Sequence, residues 1–260
     1  MTMQATDYLP SKGWVQTWRR HFMVWRKTYT ASLAGNLGEP LLYLAGMGYG
    51  LGRFVGEVEG MAYLVFVASG ILASSSMNSS TFEVLYGAFT RMTRQNTYHA
   101  QLTTPLSVAD VVAGEVIWAA SKALIAGFAI FLVATLFGAF EIQNILLTLP
   151  IVFLSGLTFA SLGMVVTAVS PSYEFFLYYT TLVTVPMFLF CGVFYPVNTL
   201  PELLQYFILL LPLTHVVELM RPLATGGVVQ DVLLHLSVIT FYLVIGFIWA
   251  VKLVRRRIIV

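Results

Sequence analysis

The sequence predicts an all-α integral membrane protein with six transmembrane helices, an N-terminal amphipathic interfacial helix and a re-entrant helical hairpin between spans five and six. Of its 260 residues, 58% are apolar and only 10% are charged, whereas soluble domains contain about 45–50% and 25%. The apolar residues lie in runs of helix length, which are too long for the strands of a membrane barrel. Composition and run length therefore both indicate helical spans.

Six long apolar segments account for the predicted spans. They lie at about 31–52, 61–89, 108–138, 145–169, 173–195 and 230–254. Each reaches the length of about 20 residues that a helix needs to cross the hydrocarbon core. Residues 1–30 form a predicted cytoplasmic segment, and the transmembrane domain covers 31–257, so no room is expected for a sizeable soluble domain.

The distribution of basic residues predicts the orientation, because cytoplasmic loops are enriched in Lys and Arg. Most basic residues precede the first span, separate spans two and three, or lie in the tail: Lys12, Arg19, Arg20, Arg26, Lys27, Arg91, Arg94, Lys252, Arg255, Arg256 and Arg257. The loops on the other side contain only Arg53 and Arg221, beside several carboxylates. Six spans with both termini in the cytoplasm satisfy this pattern.

The segment WVQTWRRHFMVWRKTY (14–29) predicts an amphipathic helix. At about 100° per residue, its five aromatic rings fall within roughly an 80° arc, and its basic residues lie opposite. Such a helix lies in the membrane interface, with its rings towards the acyl chains and its basic groups towards phosphates. It acts either as a membrane anchor or as a lever that also contacts a cytoplasmic partner.

Polar residues interrupt spans two and three. The stretch SGILASSSMNSSTFE (69–83) contains Ser75, Asn78 and Glu83, and intramembrane polar groups face either a bundle interior or a wet path. Helix packing and the lining of a substrate path both remain open for this stretch. Glu115 and Lys122 lie two turns apart in span three, and structural pairing with another span is the leading interpretation.

The loop RMTRQNTYHAQLTTPLS (91–107) is cytoplasmic in this topology. Pro105 stops any helix before it, and Ser107 with Asp110 predicts a capping box at the start of span three. Residues 88–102 are expected to form one short cytoplasmic helix between two spans.

The stretch FYPVNTLPELLQYFILLLPLTH (194–215) is apolar but too short to cross a membrane. Thr199 and Glu202 predict a capping box for a half-helix that has Pro201 in its first turn.

A second half-helix is expected to follow it. Pro212 should stop the first half after Leu211. Thr214 should then cap a second half, which ends near the glycines at 226–227.

The sequence lacks the motifs of a hydrolase, a nucleotidase or a metal enzyme. Lys27–Thr28 is the only Lys followed by Ser or Thr, and Arg26 precedes it where a phosphate-binding loop has Gly. Four histidines lack metal-ligand spacing: His21, His99, His215 and His235. No catalytic residue, metal or cofactor is therefore expected in this chain, and uphill transport would draw on a separate nucleotidase or on an ion gradient. Sparse buried carboxylates argue mildly against a gradient.

Several segments together resemble the bacterial type-2 ABC-transporter permeases. They are the amphipathic helix, NLGEPLLYLAGMGYGLG (36–52), the loop ending TTPLS (103–107), and FCGVFYPVNTLPELLQYFILLLPLTHVVELMRPL (190–223). The resemblance covers nearly the whole chain, and the last segment is the most specific. Within the family, the chain looks most similar to the branch of the nodulation-factor (lipo-chitooligosaccharide) export permeases and the daunorubicin-resistance permeases.

The resemblance implies a six-helix permease in the bacterial inner membrane. It would form a homodimer around a central path and bind two copies of a cytoplasmic nucleotide-binding subunit, which carries ATP and Mg. Membrane lipids would also be partners, and no binding of nucleic acid is expected. The outer hairpin would cover 196–223.

The resemblance and the residue pattern together give three sets of candidate residues. Coupling to the ATPase is assigned to Arg19, Arg20, Arg26, Lys27, Arg91, Arg94 and His99. A substrate path is assigned to Ser75, Asn78, Glu83, Phe175, Tyr178, Tyr179 and Phe188. The outer hairpin is marked by Pro201, Glu202, Pro212 and His215.

The predicted function is that of the permease subunit of an ATP-driven exporter. Its substrate would be amphipathic: a lipo-oligosaccharide, a lipid-linked saccharide or a hydrophobic drug. The alternatives are a gradient-driven carrier or channel and a non-transporting membrane scaffold. A neighbouring gene for a soluble protein with a phosphate-binding loop would favour the exporter.

Overall fold

A computed structural model describes residues 9–30, 38 and 40–259, and this part of the chain is mostly helical. In chain order the helices are α1 (Trp14–Trp25), α2 (π-helical over Leu44–Leu51, then Gly52–Val55), α3 (Tyr63–Phe82, continuing through Glu83–Ala88 and Phe89–Thr93), α4 (Thr97–Leu102), α5 (Val108–Leu136), α6 (Ile145–Val169), α7 (Phe175–Phe190), α8 (Glu202–Ile208), α9 (Pro212–Thr225) and α10 (Val232–Ile259). Short 3₁₀ turns cover Ile142–Asn144 and Val197–Thr199. Strands β1 (Glu57–Val58) and β2 (Met61–Ala62) pair antiparallel, with Val58 opposite Met61.

Three helices of the described residues are long and apolar enough to cross a membrane: α5, α6 with its preceding turn, and α10. The apolar helix α7 is shorter, and α8 and α9 form a pair bent by 87°. The predicted first span, 31–52, begins in residues outside the described part. The six-span count therefore stays a prediction, while the mostly helical membrane fold is confirmed.

Helix α3 forms the centre of the bundle, since nearly all of Tyr63–Phe82 is buried. Small residues allow helix backbones to approach closely. A Cβ at Gly70 would lie 2.5 Å from the carbonyl oxygen of Val193, and one at Gly156 would lie 2.9 Å from Cα of Ala120. Both glycines therefore sit where one backbone touches another.

The serine-rich part of α3 contributes to helix packing. Ser76 donates to the carbonyl of Ala73, and its hydroxyl lies 2.6 Å from that of Ser155 in α6. Ser80 donates to the carbonyl of Ser76. Hydroxyls that bond backbone carbonyls are tolerated inside a span, so the structure favours packing over a substrate path here.

The bundle has two chemically different ends. The basic end contains α1, α4 and the last turns of α10, where Arg257 donates to the carbonyls of Thr167 and Ala168. The hairpin end contains β1, β2, α8 and α9, and there Asn144 donates to the carbonyl of Ala224 at 3.1 Å. The basic end corresponds to the side predicted to be cytoplasmic.

The expectation of one helix over 88–102 is wrong. Helix α3 continues to Thr93, and α4 begins only at Thr97. Asn96 between them has φ 50°, a left-handed conformation that interrupts a helix and that Asn tolerates better than most residues. The capping box of α5 is confirmed, because Ser107 Oγ accepts from the Asp110 N–H and Asp110 Oδ2 accepts from the Ser107 N–H.

The predicted Thr199–Glu202 capping box is wrong. The Thr199 hydroxyl donates to the carbonyl of Pro196 instead. Residues Leu200 and Pro201 are extended, with ψ 159° and 141°, so Thr199 lies too far ahead of α8 to cap it. Pro201 is itself the N-cap of α8 and makes no side-chain cap bond.

The second half of the hairpin also differs from the prediction. Helix α8 ends at Ile208 rather than Leu211, and Pro212 begins α9 instead of ending α8. Proline suits this first-turn position because its missing N–H has no partner there anyway. The predicted end of α9 is confirmed, since Gly226 terminates it with φ 78°.

Three side chains satisfy the carbonyls at the end of α8. The Thr214 hydroxyl donates to the carbonyl of Ile208 at 2.7 Å. Nε2 of His215 lies 2.9 Å from the carbonyl oxygen of Leu209, and the Tyr242 hydroxyl donates to the carbonyl of Leu210 at 2.7 Å. Helix ends leave such carbonyls without helical partners. Helices α9 and α10 thus fix the end of α8, and Thr214 serves here as a C-terminal rather than an N-terminal cap.

Candidate functional site

A buried ion network lies near the basic end, and we define it as Glu83, Arg91, Glu115 and Lys122 with His21. Its centre is the bidentate pair of Arg91 and Glu115, with Nε to Oε1 at 3.0 Å and Nη2 to Oε2 at 2.6 Å. Nη2 of Arg91 also donates to Oε1 of Glu83 at 2.8 Å. Bidentate Arg–carboxylate pairs are among the strongest hydrogen-bonded contacts in proteins, so this pair joins α3 firmly to α5.

Two side chains of α5, Lys122 and Trp118, also donate hydrogen bonds to the carboxylate of Glu83. The Lys122 Nζ donates to Oε2 at 2.7 Å, and the Trp118 indole N–H donates to Oε1 at 3.1 Å. Glu115 and Lys122 therefore each pair with another helix, which confirms the structural pairing predicted from the sequence. Each buried charge in the network faces an opposite charge, as burial requires.

Helix α1 joins the network through His21. Its Nε2 lies 3.2 Å from Oε1 of Glu115, and both side chains are almost fully buried. The Trp18 indole N–H donates to the hydroxyl of Ser121 at 3.0 Å. Gly114 permits this packing, since a Cβ there would lie 3.0 Å from the carbonyl oxygen of Trp14. Trp18 and Trp25 therefore contact α5 rather than acyl chains as predicted, and the interfacial position of α1 stays a prediction.

Electrostatics keep Arg91 charged despite its burial. Burial by itself lowers the pKa of Arg91, but the carboxylates of Glu115 and Glu83 outweigh this effect, and the pKa is raised. Burial and the nearby Glu115 carboxylate raise the pKa of the Tyr98 hydroxyl. The network therefore carries a fixed cation between two carboxylates.

Gly87 leaves room beside it for the side chains of Glu83 and Arg91. A Cβ at position 87 would lie 2.6 Å from Oε1 of Glu83 and 3.1 Å from Nη1 of Arg91. The first distance is shorter than real Cβ contacts, so any side chain at position 87 would require the carboxylate of Glu83 to shift.

A second buried cation, Arg221, holds the hairpin against α3. Its guanidinium carbon lies 3.7 Å from the ring centroid of Phe66. Nε donates to the hydroxyl of Ser69 at 3.1 Å, and Nη2 donates to the carbonyl of Gly192. The sequence suggested no such role for Arg221. An arginine inside a short apolar helix was the available signal, because it needs a polar partner in a membrane protein.

An open apolar cavity of about 540 Å³ lies near the hairpin end between α2 and α7. Phe188 contacts Tyr43 and Phe194, with ring centroids 5.4 and 4.9 Å apart. The remaining lining residues are mostly apolar: Met47, Val55, Val58, Tyr63, Leu189, Tyr195 and Pro196. Such a surface can accept acyl chains or stack on sugar rings.

Comparison with known proteins decides the family. Residues 13–225 match the family model described as ABC-2 type transporter. The chain belongs to the ABC-2 type transporter family. It is 45% identical over 261 residues to "Nodulation protein J" of Rhizobium leguminosarum bv. trifolii, with all of both chains covered.

Two further relatives extend this similarity. "Nodulation protein J" of Rhizobium meliloti (strain 1021) is 44% identical over 251 residues, which are 96% of each chain. The protein of the same name from Azorhizobium caulinodans is 31% identical over 214 residues, which are 82% of this chain and 84% of its own. This ABC-2 permease is accordingly a multi-pass membrane protein and a transporter component rather than an enzyme.

The permease presents most of its predicted coupling residues at the surface of the basic end. Exposed residues there are Arg19, Arg26, Lys27, Arg94 and His99. Arg20 is partly buried and lies 3.5 Å from the Thr97 hydroxyl. Arg91 lies inside the protein as the centre of the ion network, not on the cytoplasmic-type surface that its coupling assignment assumed.

The predicted substrate-path residues do not form one site in this permease. Ser75 is buried and Asn78 is partly buried in α3, while Glu83 belongs to the ion network. Phe175 and Tyr178 contact each other at the start of α7, next to the partly buried Tyr179. Only Phe188, near the other end of α7, lines the apolar cavity.

Of the predicted hairpin residues, Pro201 and Glu202 lie at the start of α8, and Pro212 and His215 lie in the first turn of α9. No group of three or more His, Cys, Asp or Glu among the described residues could hold a metal ion.

Proposed function

We propose that this chain is the permease subunit of an ATP-driven exporter that moves an amphipathic lipo-oligosaccharide outward across the bacterial inner membrane. The full-length similarity to proteins named for nodulation supports this class of cargo. The observation that carries the proposal is the ion network, because it connects the surface helix α1 rigidly to two helices of the bundle. A scaffold would not need such a joint, whereas an exporter driven from outside the membrane does.

Two copies of a nucleotide-binding subunit dock on the basic end in this proposal, which places that end in the cytoplasm. The exposed Arg94 precedes α4 and the exposed His99 lies on it, while Arg19 and Arg26 are exposed on α1 and at its end. ATP and Mg belong to the docked subunits. Movement of α1 on ATP closure passes to α5 through His21 and Glu115, and to α3 through Arg91.

The cargo leaves near the hairpin end, between two copies of the permease. Its acyl chain fits the apolar cavity beside Phe188, and its sugars stack on exposed rings such as Tyr43. Exposed apolar residues on α8 support a dimer or exit surface there: Leu203, Tyr206 and Phe207. Large exposed apolar patches mark interfaces with proteins or lipids.

Reconstitution of the permease with its cognate ATPase tests this function. We expect lipo-oligosaccharides to stimulate ATP hydrolysis and to appear on the far side of proteoliposomes only when ATP is present. A panel of lipid-linked saccharides and planar drugs defines the cargo class. Transport that proceeds without ATP and follows an imposed ion gradient would refute the exporter and favour the carrier.

A further inference from the structure

A second, polar cavity lies at the basic end, directly beside the ion network. It has a volume of about 330 Å³ and is enclosed by α1, the end of α3 and the middle of α5. Its polar and aromatic walls come mainly from Arg20, Trp25, Arg91, Trp118 and Lys122. The exposed residues Val24, Thr28 and Gln95 also line it, so the cavity opens to the surface along α1.

Positive charge exceeds negative charge around this cavity. The cations that line it are Arg20, Arg91 and Lys122; the carboxylate of Glu83 also lines it, and that of Glu115 lies behind Arg91. Both carboxylates already accept from Arg91 or Lys122. With a neutral His21, the three cations exceed the two carboxylates by one positive charge. A bound anion would neutralise this charge, which favours binding in a partly buried site.

Two residues that line the cavity have donors without an acceptor among the described residues. The indole Nε1 of Trp25, which lines the cavity, is buried and has no hydrogen-bond partner among the described residues. Arg91 directs Nε and Nη2 to its carboxylates, and its Nη1 makes no hydrogen bond within the described part of the chain. Arg91 lines the cavity, so its Nη1 is available to donate to an acceptor that the described residues do not supply.

The position of the cavity selects the kind of anion. Helix α1 packs Trp18 and Trp25 against Ser121 and Trp118 of α5 and carries exposed basic residues on its other side. Such a helix lies at the level of lipid headgroups, where phosphates are concentrated. Arginine and lysine donors beside a tryptophan suit a phosphate whose glycerol and acyl parts continue past apolar groups such as Val24.

We propose that this cavity binds the phosphate group of an anionic phospholipid of the leaflet in which α1 lies. The site is separate from the cargo path near Phe188 and does not depend on which cargo the permease moves. Bound there, the lipid joins α1 to α3 and α5 beside the ion network and stiffens the connection between them.

Native mass spectrometry of the purified full-length chain tests the site. The protein is incubated with mixed vesicles of phosphatidylglycerol and phosphatidylcholine, extracted, and analysed for retained lipid. We expect one phosphatidylglycerol to be retained in preference to phosphatidylcholine. Arg20→Gln should lower this retention roughly fivefold, the effect of one basic group near an anionic lipid.

Arg19→Gln is the matched control, because Arg19 is the neighbouring exposed arginine of α1 and does not line the cavity. Its retention of phosphatidylglycerol should equal that of the unmodified chain. Equal losses in both arginine variants, or a loss in neither, would overturn the site. Displacement of the lipid by inorganic phosphate alone would show that a soluble anion occupies the cavity and would overturn the lipid assignment. Unchanged thermal unfolding of Arg20→Gln confirms that a loss of lipid is not a loss of fold.

Discussion

The Nδ1 atoms of His215 in α9 and His235 in α10 lie 2.8 Å apart, so one imidazole donates to the other. Nε2 of His215 lies 2.9 Å from the carbonyl of Leu209, which can only accept. The proton of neutral His215 is therefore assigned to Nε2, and its Nδ1 accepts from the Nδ1–H of His235. A directed chain of two hydrogen bonds thus runs from the last span to the end of α8.

Replacing the donor of this chain should loosen the hairpin. In His235→Leu, Nδ1 of His215 loses its donor, and we expect the free energy of unfolding to fall by about 1–3 kcal/mol. Thermal unfolding in detergent measures the change. The control is His99→Leu, since His99 is exposed on α4. Equal unfolding temperatures for both variants would contradict the assigned chain.

Removing one carboxylate of the ion network should be far more costly. Glu115→Gln leaves Arg91 with a single carboxylate partner in a buried site, and breaking buried pairs costs about 3–5 kcal/mol. Thermal unfolding checks this, with Glu174→Gln as the control because Glu174 is exposed in the turn before α7. A Glu115→Gln protein as stable as that control would refute the structural importance of the network.

Arg91 in the last turn of α3 and Arg94 directly after that helix should behave differently from each other. Arg94→Glu reverses an exposed charge, so we expect weaker co-purification with the ATPase at unchanged thermal stability. Arg91→Glu should instead destabilise the permease itself, because it places three carboxylates together. Co-purification yield and unfolding temperature separate the two effects. Full ATPase binding by Arg94→Glu would exclude Arg94 from the docking surface.

Two apolar residues of α8 provide a similar contrast at the hairpin. Leu203 is 72% exposed and Ile208 only 2% exposed. Leu203→Asp should preserve folding and ATPase docking but impair export, since it places a charge on the proposed exit surface. Ile208→Asp should reduce stability by several kcal/mol, at roughly the cost of an unpaired buried charge. Normal export by a folded Leu203→Asp protein would mean that the hairpin only seals the fold.

Local signals in the sequence predicted much of the fold. Ser107 and Asp110 cap α5 as expected, because a capping box needs only residues three positions apart. The same motif gave a wrong capping box at Thr199, because Leu200 and Pro201 are extended rather than helical. Local patterns hold only if the intervening backbone is helical.

The candidate site was less predictable, because its contacts join distant segments. The spacing of Glu115 and Lys122 indicated that both need partners, but it contains no information on which residues supply them. Packing of α3 and α1 on α5 decides that Arg91, Glu83 and His21 do so. The role of Arg221 could not be predicted for the same reason, since its partner Ser69 is 152 positions away in the sequence.

Gly87 makes the ion network sensitive to volume as well as to charge. A single methyl group at this position would intrude on both Glu83 and Arg91 while leaving every titratable residue in place. An alanine there changes no charge, yet it requires the carboxylate of Glu83 to shift beside Arg91. The exchange of one hydrogen atom for a methyl group thus probes the contact between Glu83 and Arg91 by volume alone.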